Sequence, residues 1–195
     1  MNLNLRSISP ARYPAVVLAA LLTLSIPVSA AQKPSIHIDN FAKVSATYYR
    51  GAQPMGPDYS DLAALGVKTV INLTSDDAQP DEKAMVERNH MKYVGMPMTT
   101  RIAPTTSELE SFMAVVNDPS MQPVYVHCVG GRHRTGVMTA VYRMVTDGIS
   151  GADAFKEMKQ FKYGADFLHP EFKAFVEHFD AKAFAAAAAA KSANK

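Results

Sequence analysis

Apolar and polar residues alternate along this chain in short segments that predict strands and helices in succession. Residues 67–73 read Val-Lys-Thr-Val-Ile-Asn-Leu, a β-branched and largely apolar stretch that is typical of a strand entering a core. Residues 123–127 have the same character. Gly66 and the Gly- and Pro-rich residues 51–57 mark the ends of such segments, because both residue types interrupt regular structure.

The same patterns, together with helix-capping residues, predict the other elements. Four strands are predicted, at 47–50, 67–73, 92–98 and 123–127. Six helices are predicted, at 58–65, 80–90, 105–117 behind a Thr105-Thr106-Ser107-Glu108 capping box, 134–147, 151–163 and 170–183. This succession predicts a single α/β domain over residues 31–180, with a central, mostly parallel sheet flanked by helices.

The amino terminus has the composition of a secretory signal peptide. Arg6 and Arg12 precede an apolar run over residues 15–28, and the small residues Ser29 and Ala30 follow. We therefore expect residues 1–30 to be a signal peptide cleaved after Ala30 or Ala31, and the mature protein to be secreted or periplasmic. The run is shorter than the ~20 residues that cross a bilayer, so membrane attachment is expected only through this segment if it stays uncleaved.

The carboxyl terminus is alanine-rich. Residues 185–190 are all alanine, which favours a helix but offers nothing large to bury. We interpret residues 181–195 as a tail that extends the last helix.

Charge and cysteine content exclude several classes of protein. The 195 residues contain 20 Lys and Arg against 18 Asp and Glu, and both surplus cations, Arg6 and Arg12, lie in the leader. A nucleic-acid partner is therefore not expected. The single cysteine, Cys128, excludes an internal disulfide and a cysteine-rich zinc site. We expect no cofactor and no metal.

The segment from Val124 to Gly136 carries the chemistry. It places Cys128 at the end of a strand and Arg134 at the start of a helix, with a glycine-containing loop between them. Unpaired amides at the start of a helix bind oxyanions, and Gly130 and Gly131 allow the close approach that such a loop needs. A guanidinium can hold two phosphate oxygens at once. These positive surroundings favour the thiolate, which is the nucleophilic form of cysteine.

This Cys-x5-Arg segment, with His127 before it and Thr135 after it, resembles the signature loop of cysteine-dependent protein tyrosine and dual-specificity phosphatases. The resemblance implies that Cys128 is a nucleophile forming a phosphocysteine, and that Arg134 binds the phosphoryl group. It implies that Thr135 assists departure of the sulfur and that His127 orients the loop. It also implies that the substrate is cradled by the residues of the loop: Val129, Gly130, Gly131, Arg132, His133 and Arg134.

The Gly-Arg-His-Arg-Thr-Gly variant of the loop resembles that of the plant and fungal atypical dual-specificity phosphatases. Residues 49–54 (Tyr-Arg-Gly-Ala-Gln-Pro), 67–73 and 166–179 also resemble segments of that branch. Some of its members hydrolyse inositol polyphosphates and pyrophosphates. The resemblance therefore implies a phosphorylated protein or a small phosphorylated substrate such as an inositol phosphate, and Arg132 and His133 as extra donors to it.

The expected general acid is missing from its usual place. The family carries an aspartate on the loop after the strand preceding the signature, whereas here residues 97–104 contain no acid. Asp76 and Asp77, which follow the strand at 67–73, are the leading candidates because α/β sites gather at strand ends. Asp166 is the next candidate. Arg101 in the acid-free loop is suited to binding an anionic substrate.

Three functions remain open at this point. The first is a metal-independent phosphatase working through a phosphocysteine, on phosphoprotein or inositol phosphate substrates. The second is a rhodanese-like sulfurtransferase, which also uses a cysteine in an anion-binding loop, although the Arg134-Thr135-Gly136 sequence favours the phosphatase. The third is a phosphate-binding pseudophosphatase, suggested by the missing acid.

Overall fold

A computed structural model of the chain describes residues 35–75 and 77–193. The sheet at its centre has five strands: β1 (Ala42–Lys43), β2 (Tyr48–Gly51), β3 (Thr69–Asn72), β4 (Lys92–Gly95) and β5 (Val124–His127). Their order in the sheet is β1-β2-β5-β3-β4, with β2, β5, β3 and β4 parallel and β1 antiparallel at one edge. The prediction of an α/β domain with a mostly parallel sheet is confirmed. The two-residue strand β1 was not predicted.

The parallel strands end level with one another. His127 of β5 pairs in register with Gly51 of β2 on one side and with Asn72 of β3 on the other. The segments that follow these three strands therefore leave the sheet at the same edge. Ligands of parallel α/β sheets bind at this edge.

Seven helices cover the two faces of the sheet within the described residues. They are α1 (Asp58–Ala64), α2 (Glu82–Arg88), α3 (Thr106–Asn117), α4 (Arg134–Thr146), α5 (Gly151–Gln160), α6 (Pro170–His178) and α7 (Ala181–Ala193). The capping box at the start of α3 forms as predicted, since the Thr105 side chain accepts from the Glu108 amide while the Glu108 carboxylate accepts from the Thr105 amide. No helix of the described ranges has the length and apolar character of a membrane span.

Strand β5 is buried on both faces, which explains its continuous apolar sequence. Val124 and Val126 face a cluster that includes Phe112 of α3, and Tyr125 faces the cluster of α1 and α2. A strand packed on both sides in this way holds the residue that follows it in a fixed position.

The prediction of one helix over 170–183 is wrong. Helix α6 ends at His178 because Phe179 adopts an extended backbone, and α7 then begins, its first turn capped by the Asp180 carboxylate. Phe184 packs against the core, and Lys191 pairs with Glu110 of α3. The alanine-rich segment is thus a separate, docked helix. The predicted signal peptide lies outside the described residues.

Candidate active site

Cys128 lies where the sheet edge meets helix α4. It directly follows β5 and is only 3% exposed, and Arg134 is the first residue of α4. The intervening residues form a loop without regular structure. This strand, loop and helix are arranged as the sequence predicts.

Carbonyl groups of the loop accept hydrogen bonds from β2 and from the segments before and after it. Three consecutive carbonyls accept hydrogen bonds, Val129 from the Gln53 amide (3.1 Å), Gly130 from Asn40 Nδ2 (2.7 Å) and Gly131 from Arg50 Nη2 (2.5 Å). Because the C=O and the next N–H of a planar trans peptide point in opposite directions, the amides of residues 130–132 face away from these donors.

Those amides are available to a ligand. Within the described part of the chain, the backbone N–H groups of residues 129–133 have no hydrogen-bond acceptor. Unpaired amides close to the start of a helix form an anion-binding site. The loop is therefore built to surround an oxyanion next to the Cys128 sulfur.

Position 131 of the loop requires glycine, because there is no space for a side chain. Its φ is +61°, and a Cβ there would lie 2.4 Å from the backbone carbon and oxygen of Gly51. The loop thus rests directly on the backbone at the end of β2.

Arg134 is held by a carboxylate. Its Nη1 and Nη2 donate to the two oxygens of Asp77, at 2.9 and 2.6 Å, and Nη1 also donates to the Met98 carbonyl at 3.2 Å. Hydrogen bonding from Arg134 lowers the pKa of Asp77 to about 2. Burial acts to lower the pKa of Arg134, but Asp77 and Cys128 outweigh it and raise that pKa. The site therefore holds a buried, permanently charged guanidinium.

An open cavity of about 700 Å³ lies over this ion pair. It is lined by Ser75, Asp77, Thr99, Thr100, Arg101, Ile102 and Arg134. Arg101 thus lines the same cavity as Arg134, in the acid-free loop where the sequence suggested an anion contact. A phosphate ester bound at Arg134 would extend its organic part into this space.

A buried polar network connects the strand ends beneath the loop. His127 Nε2 lies 2.8 Å from Glu82 Oε1, and neither side chain is exposed to solvent. The Asn72 amide donates to the other Glu82 oxygen, while the Asn72 oxygen accepts from the amide and hydroxyl of Thr74. The network therefore links the residue before Cys128 to the segment that carries Asp77.

Thr135 also lies at this junction. Its side chain is fully buried, and its hydroxyl has no hydrogen-bond partner among the described residues. An unpaired hydroxyl at the loop's end is free to donate to a nearby anion.

Two other predicted substrate contacts have protein partners. His133 Nε2 lies 2.9 Å from the Tyr163 carbonyl, and its ring is 3.9 Å from that of His169. Burial lowers the pKa of His133. Arg132 is nearly half exposed and 3.9 Å from Asp39. The His133 ring thus connects the loop to the segment after α5.

The candidate general acids Asp77 and Asp166 have different partners. Asp77 lies at Arg134. Asp166 instead binds Lys159 and Lys173, with oxygen–nitrogen distances of 2.6 and 2.8 Å, and Lys159 lowers its pKa most. Asp76 lies outside the described residues.

Asn40, Arg50, Gln53 and Glu82 were not among the site residues predicted from the sequence. Asn40 adopts a left-handed φ of +53° and contacts the loop from 90 positions away, so no local pattern reveals it. The Arg-Gly pair at residues 50–51 was the one available signal.

Comparisons with known proteins agree with this geometry. A family model described as "DSP-PTPase phosphatase fused to NAD+ Kinase" matches residues 28–173. The dual specificity protein phosphatase TpbA of Pseudomonas aeruginosa is 31% identical over 150 residues, which cover 75% of this chain and 64% of TpbA. The inositol diphosphatase DSP3 of Arabidopsis thaliana is 26% identical over 110 residues, 54% of each protein. The chain thus spans less than two thirds of either relative's length.

Solved structures show the same fold. The crystal structure of P. aeruginosa TpbA in complex with pTyr superposes with a TM-score of 0.67 at 25% identity, covering 83% of this chain and 99% of that one. The catalytic domain of the PP-IP phosphatase Siw14 from S. cerevisiae superposes with a TM-score of 0.67 at 21% identity, covering 81% and 96%. Since the family model covers well over half of the residues, the chain belongs to the DSP-PTPase family, within the cysteine-dependent protein tyrosine and dual-specificity phosphatases.

Proposed function

We propose that this protein hydrolyses phosphomonoesters through a phosphocysteine intermediate, without a metal. The observation that carries the proposal is the position of Cys128, buried beside unpaired loop amides and next to the Arg134 guanidinium. This arrangement can bind a phosphoryl group and present a sulfur to its phosphorus atom.

In the first step the Cys128 sulfur attacks phosphorus, an S–P bond forms and the P–O bond to the leaving group breaks. Arg134 and the amides of residues 129–134 hold the three other phosphoryl oxygens, over which the charge of the transition state is spread. In the second step water attacks phosphorus, the S–P bond breaks with the sulfur leaving as a thiolate, and the proton lost by the water passes to the Asp77 carboxylate, the proposed acid of the first step. The free hydroxyl of Thr135 donates to the departing sulfur, and His127 holds the start of the loop in place.

Asp77 is the proposed general acid. Its carboxylate is bound to Arg134 and charged. A phosphate dianion competes for the same guanidinium, so the arriving substrate releases Asp77 and removes the contact that holds its pKa low. The freed carboxylate, 57 positions from Arg134 in sequence but adjacent in space, can then take up a proton from solvent and pass it to the leaving oxygen.

The proposed substrate is a phosphorylated protein or a small phosphorylated molecule such as an inositol phosphate. The first is supported by the likeness to TpbA, crystallised with pTyr, and the second by the relative named as an inositol diphosphatase. Arg101 supplies a second cation to the cavity over Arg134, which suits a substrate with more than one anionic group.

We further propose that the protein acts outside the cytoplasm, in the periplasm or after secretion. The support is the sequence of residues 1–30, with its cations, apolar run and small residues. Mass spectrometry of the mature protein from a cell-envelope fraction tests this, with an amino terminus at Ala31 or Gln32 expected. An uncleaved chain confined to the cytoplasm would contradict it.

Turnover of p-nitrophenyl phosphate tests the activity, because this leaving group hardly needs an acid. Wild-type protein kept reduced should release phosphate in the presence of a chelator, and Cys128→Ser should not. Arg134→Lys should lose roughly a hundredfold or more, because an ammonium cannot form the two parallel bonds. Release of sulfite from thiosulfate and cyanide, without phosphate release, would indicate the sulfurtransferase instead. Phosphate binding without turnover would indicate the pseudophosphatase.

A further inference from the structure

Arg50 is a buried charged side chain. It lies on β2, between β1 and the central strand β5, and is only 1% exposed. Among the described residues no carboxylate lies within 4 Å of its guanidinium. A buried charge is costly unless an opposite charge accompanies it, and arginine does not escape by losing its proton.

The contacts of Arg50 direct it toward the anion-binding loop. Nη2 donates to the Gly131 carbonyl at 2.5 Å, and the guanidinium carbon lies 4.0 Å from the centre of the Phe161 ring. Nε has no partner. One hydrogen bond and one aromatic face do not neutralise the charge.

Four nearby groups act on Arg50 in the direction expected of a negative charge, but two of them are uncharged tyrosines and a third, Glu157, has another cation as its partner. Burial raises the pKa values of Tyr48 and Tyr125 far above neutrality, so both remain uncharged. Glu157 already pairs with Arg143 at 3.3 Å. The fourth group is Cys128, which directly follows the β5 residue paired with Gly51 of β2 and acts on Arg50 when it is ionised.

We propose that Arg50 is a positioning residue whose buried charge is balanced by the Cys128 thiolate and the bound phosphoryl group, and whose bond to Gly131 keeps the loop amides available. This inference rests on the proposed role of Cys128. Arg50 does not touch the substrate and acts through the loop. It therefore complements Arg134, which closes the loop at the start of α4 and contacts the ligand directly.

Two substitutions separate the charge of Arg50 from its geometry. Arg50→Met removes both the charge and the hydrogen bond to Gly131, and the apolar methionine side chain is suited to the buried position. At pH 6 iodoacetamide reacts with the thiolate only, so this variant should alkylate Cys128 about tenfold more slowly than wild type. Arg50→Lys keeps the charge but loses the planar contact, and should alkylate within about twofold of wild type.

Inorganic phosphate provides the second readout, because it protects Cys128 from alkylation without any turnover. Protection should require at least about fivefold more phosphate in Arg50→Lys and more still in Arg50→Met. Lys162→Met is the matched control, since it removes a nearby cation that is exposed and already paired with Asp39. Its alkylation and protection should equal those of wild type.

The inference is overturned if folded Arg50→Met alkylates Cys128 as fast as wild type, as expected of a residue that only fills space. If Arg50→Met does not fold, Arg50→Lys decides, and unchanged phosphate protection in that variant overturns the inference. Neither result depends on catalysis. A wild-type protein that shows these shifts but turns over no phosphate ester would refute the proposed function and leave the role of Arg50 in anion binding intact.

Discussion

The two carboxylate oxygens of Asp77 bind the two terminal nitrogens of Arg134 in the geometry that a phosphate would use, at 2.9 and 2.6 Å. The carboxylate therefore occupies the ligand's place on the guanidinium. Arg134 is 4% exposed and Asp77 39%, so the partner that can leave is the aspartate. We therefore expect an anionic substrate to bind here by displacing the Asp77 carboxylate from Arg134.

Asp77→Asn should separate binding from chemistry. With the charged competitor removed, the KM for phosphate esters should fall a few-fold. The kcat for phenyl phosphate, which has a poor leaving group, should fall about a hundredfold if Asp77 is the acid, while kcat for p-nitrophenyl phosphate should change little. Steady-state kinetics on both esters measure this. Equal losses of kcat on the two esters would contradict the acid role, and Asp76→Asn is the companion variant to compare.

The same ion pair should make folding stability depend on acid pH. The pKa of Asp77 in the folded protein, about 2, lies below its ordinary value of 3.8. Its charged form therefore stabilises the fold above about pH 4, and this contribution is lost as the pH falls toward 2. The difference in Tm between wild type and Asp77→Asn should shrink over that interval, measured by circular dichroism. A constant difference from pH 5 to pH 2 would show that the pair contributes nothing to folding.

Gly131→Ala should disrupt the loop far more than an alanine at another glycine of similar backbone. Gly148 has a φ of +69°, close to the +61° of Gly131, but a Cβ there would meet nothing within 4 Å. Gly148→Ala should therefore lose only about 1–2 kcal/mol of stability, the usual strain of a left-handed residue, and keep full activity. Gly131→Ala adds a clash with the Gly51 backbone and should lose phosphate binding. Calorimetric titration with phosphate measures binding by the two variants. Equal affinities would show that the close contact between Gly131 and Gly51 is not needed for phosphate binding.

Glu82→Gln tests the network below the loop. It leaves His127 without its carboxylate in a fully buried position, so the free energy of unfolding should fall by about 1–3 kcal/mol. Glu87→Gln on the same helix is the control, because Glu87 is exposed and 3.9 Å from Lys83, and should change stability by less than about 0.5 kcal/mol. Urea denaturation measures both. Equal losses of stability in the two variants would show that the buried His127–Glu82 pair stabilises the fold no more than the exposed Lys83–Glu87 pair does.

The sequence was most informative where the determinants are local. The loop from Cys128 to Arg134 and the capping box at Thr105 could be predicted because a few consecutive residues define each structure. Asn40 could not, since its only signal is a contact 90 positions away. The break between α6 and α7 was missed for a related reason. Alanine favours a continuous helix, whereas the extended backbone of Phe179 ends α6 and the Asp180 carboxylate caps the first turn of a separate helix.

The backbone contact between Gly51 and Gly131 has a consequence for how this protein can diversify. At the floor of the pocket, the backbone of the loop lies directly against the backbone at the end of β2. This floor therefore tolerates almost no change of shape. The rim at residues 99–102 is a loop that lines the open cavity. New substrate preferences should therefore arise, in evolution or in the laboratory, by replacing rim residues over an unaltered floor.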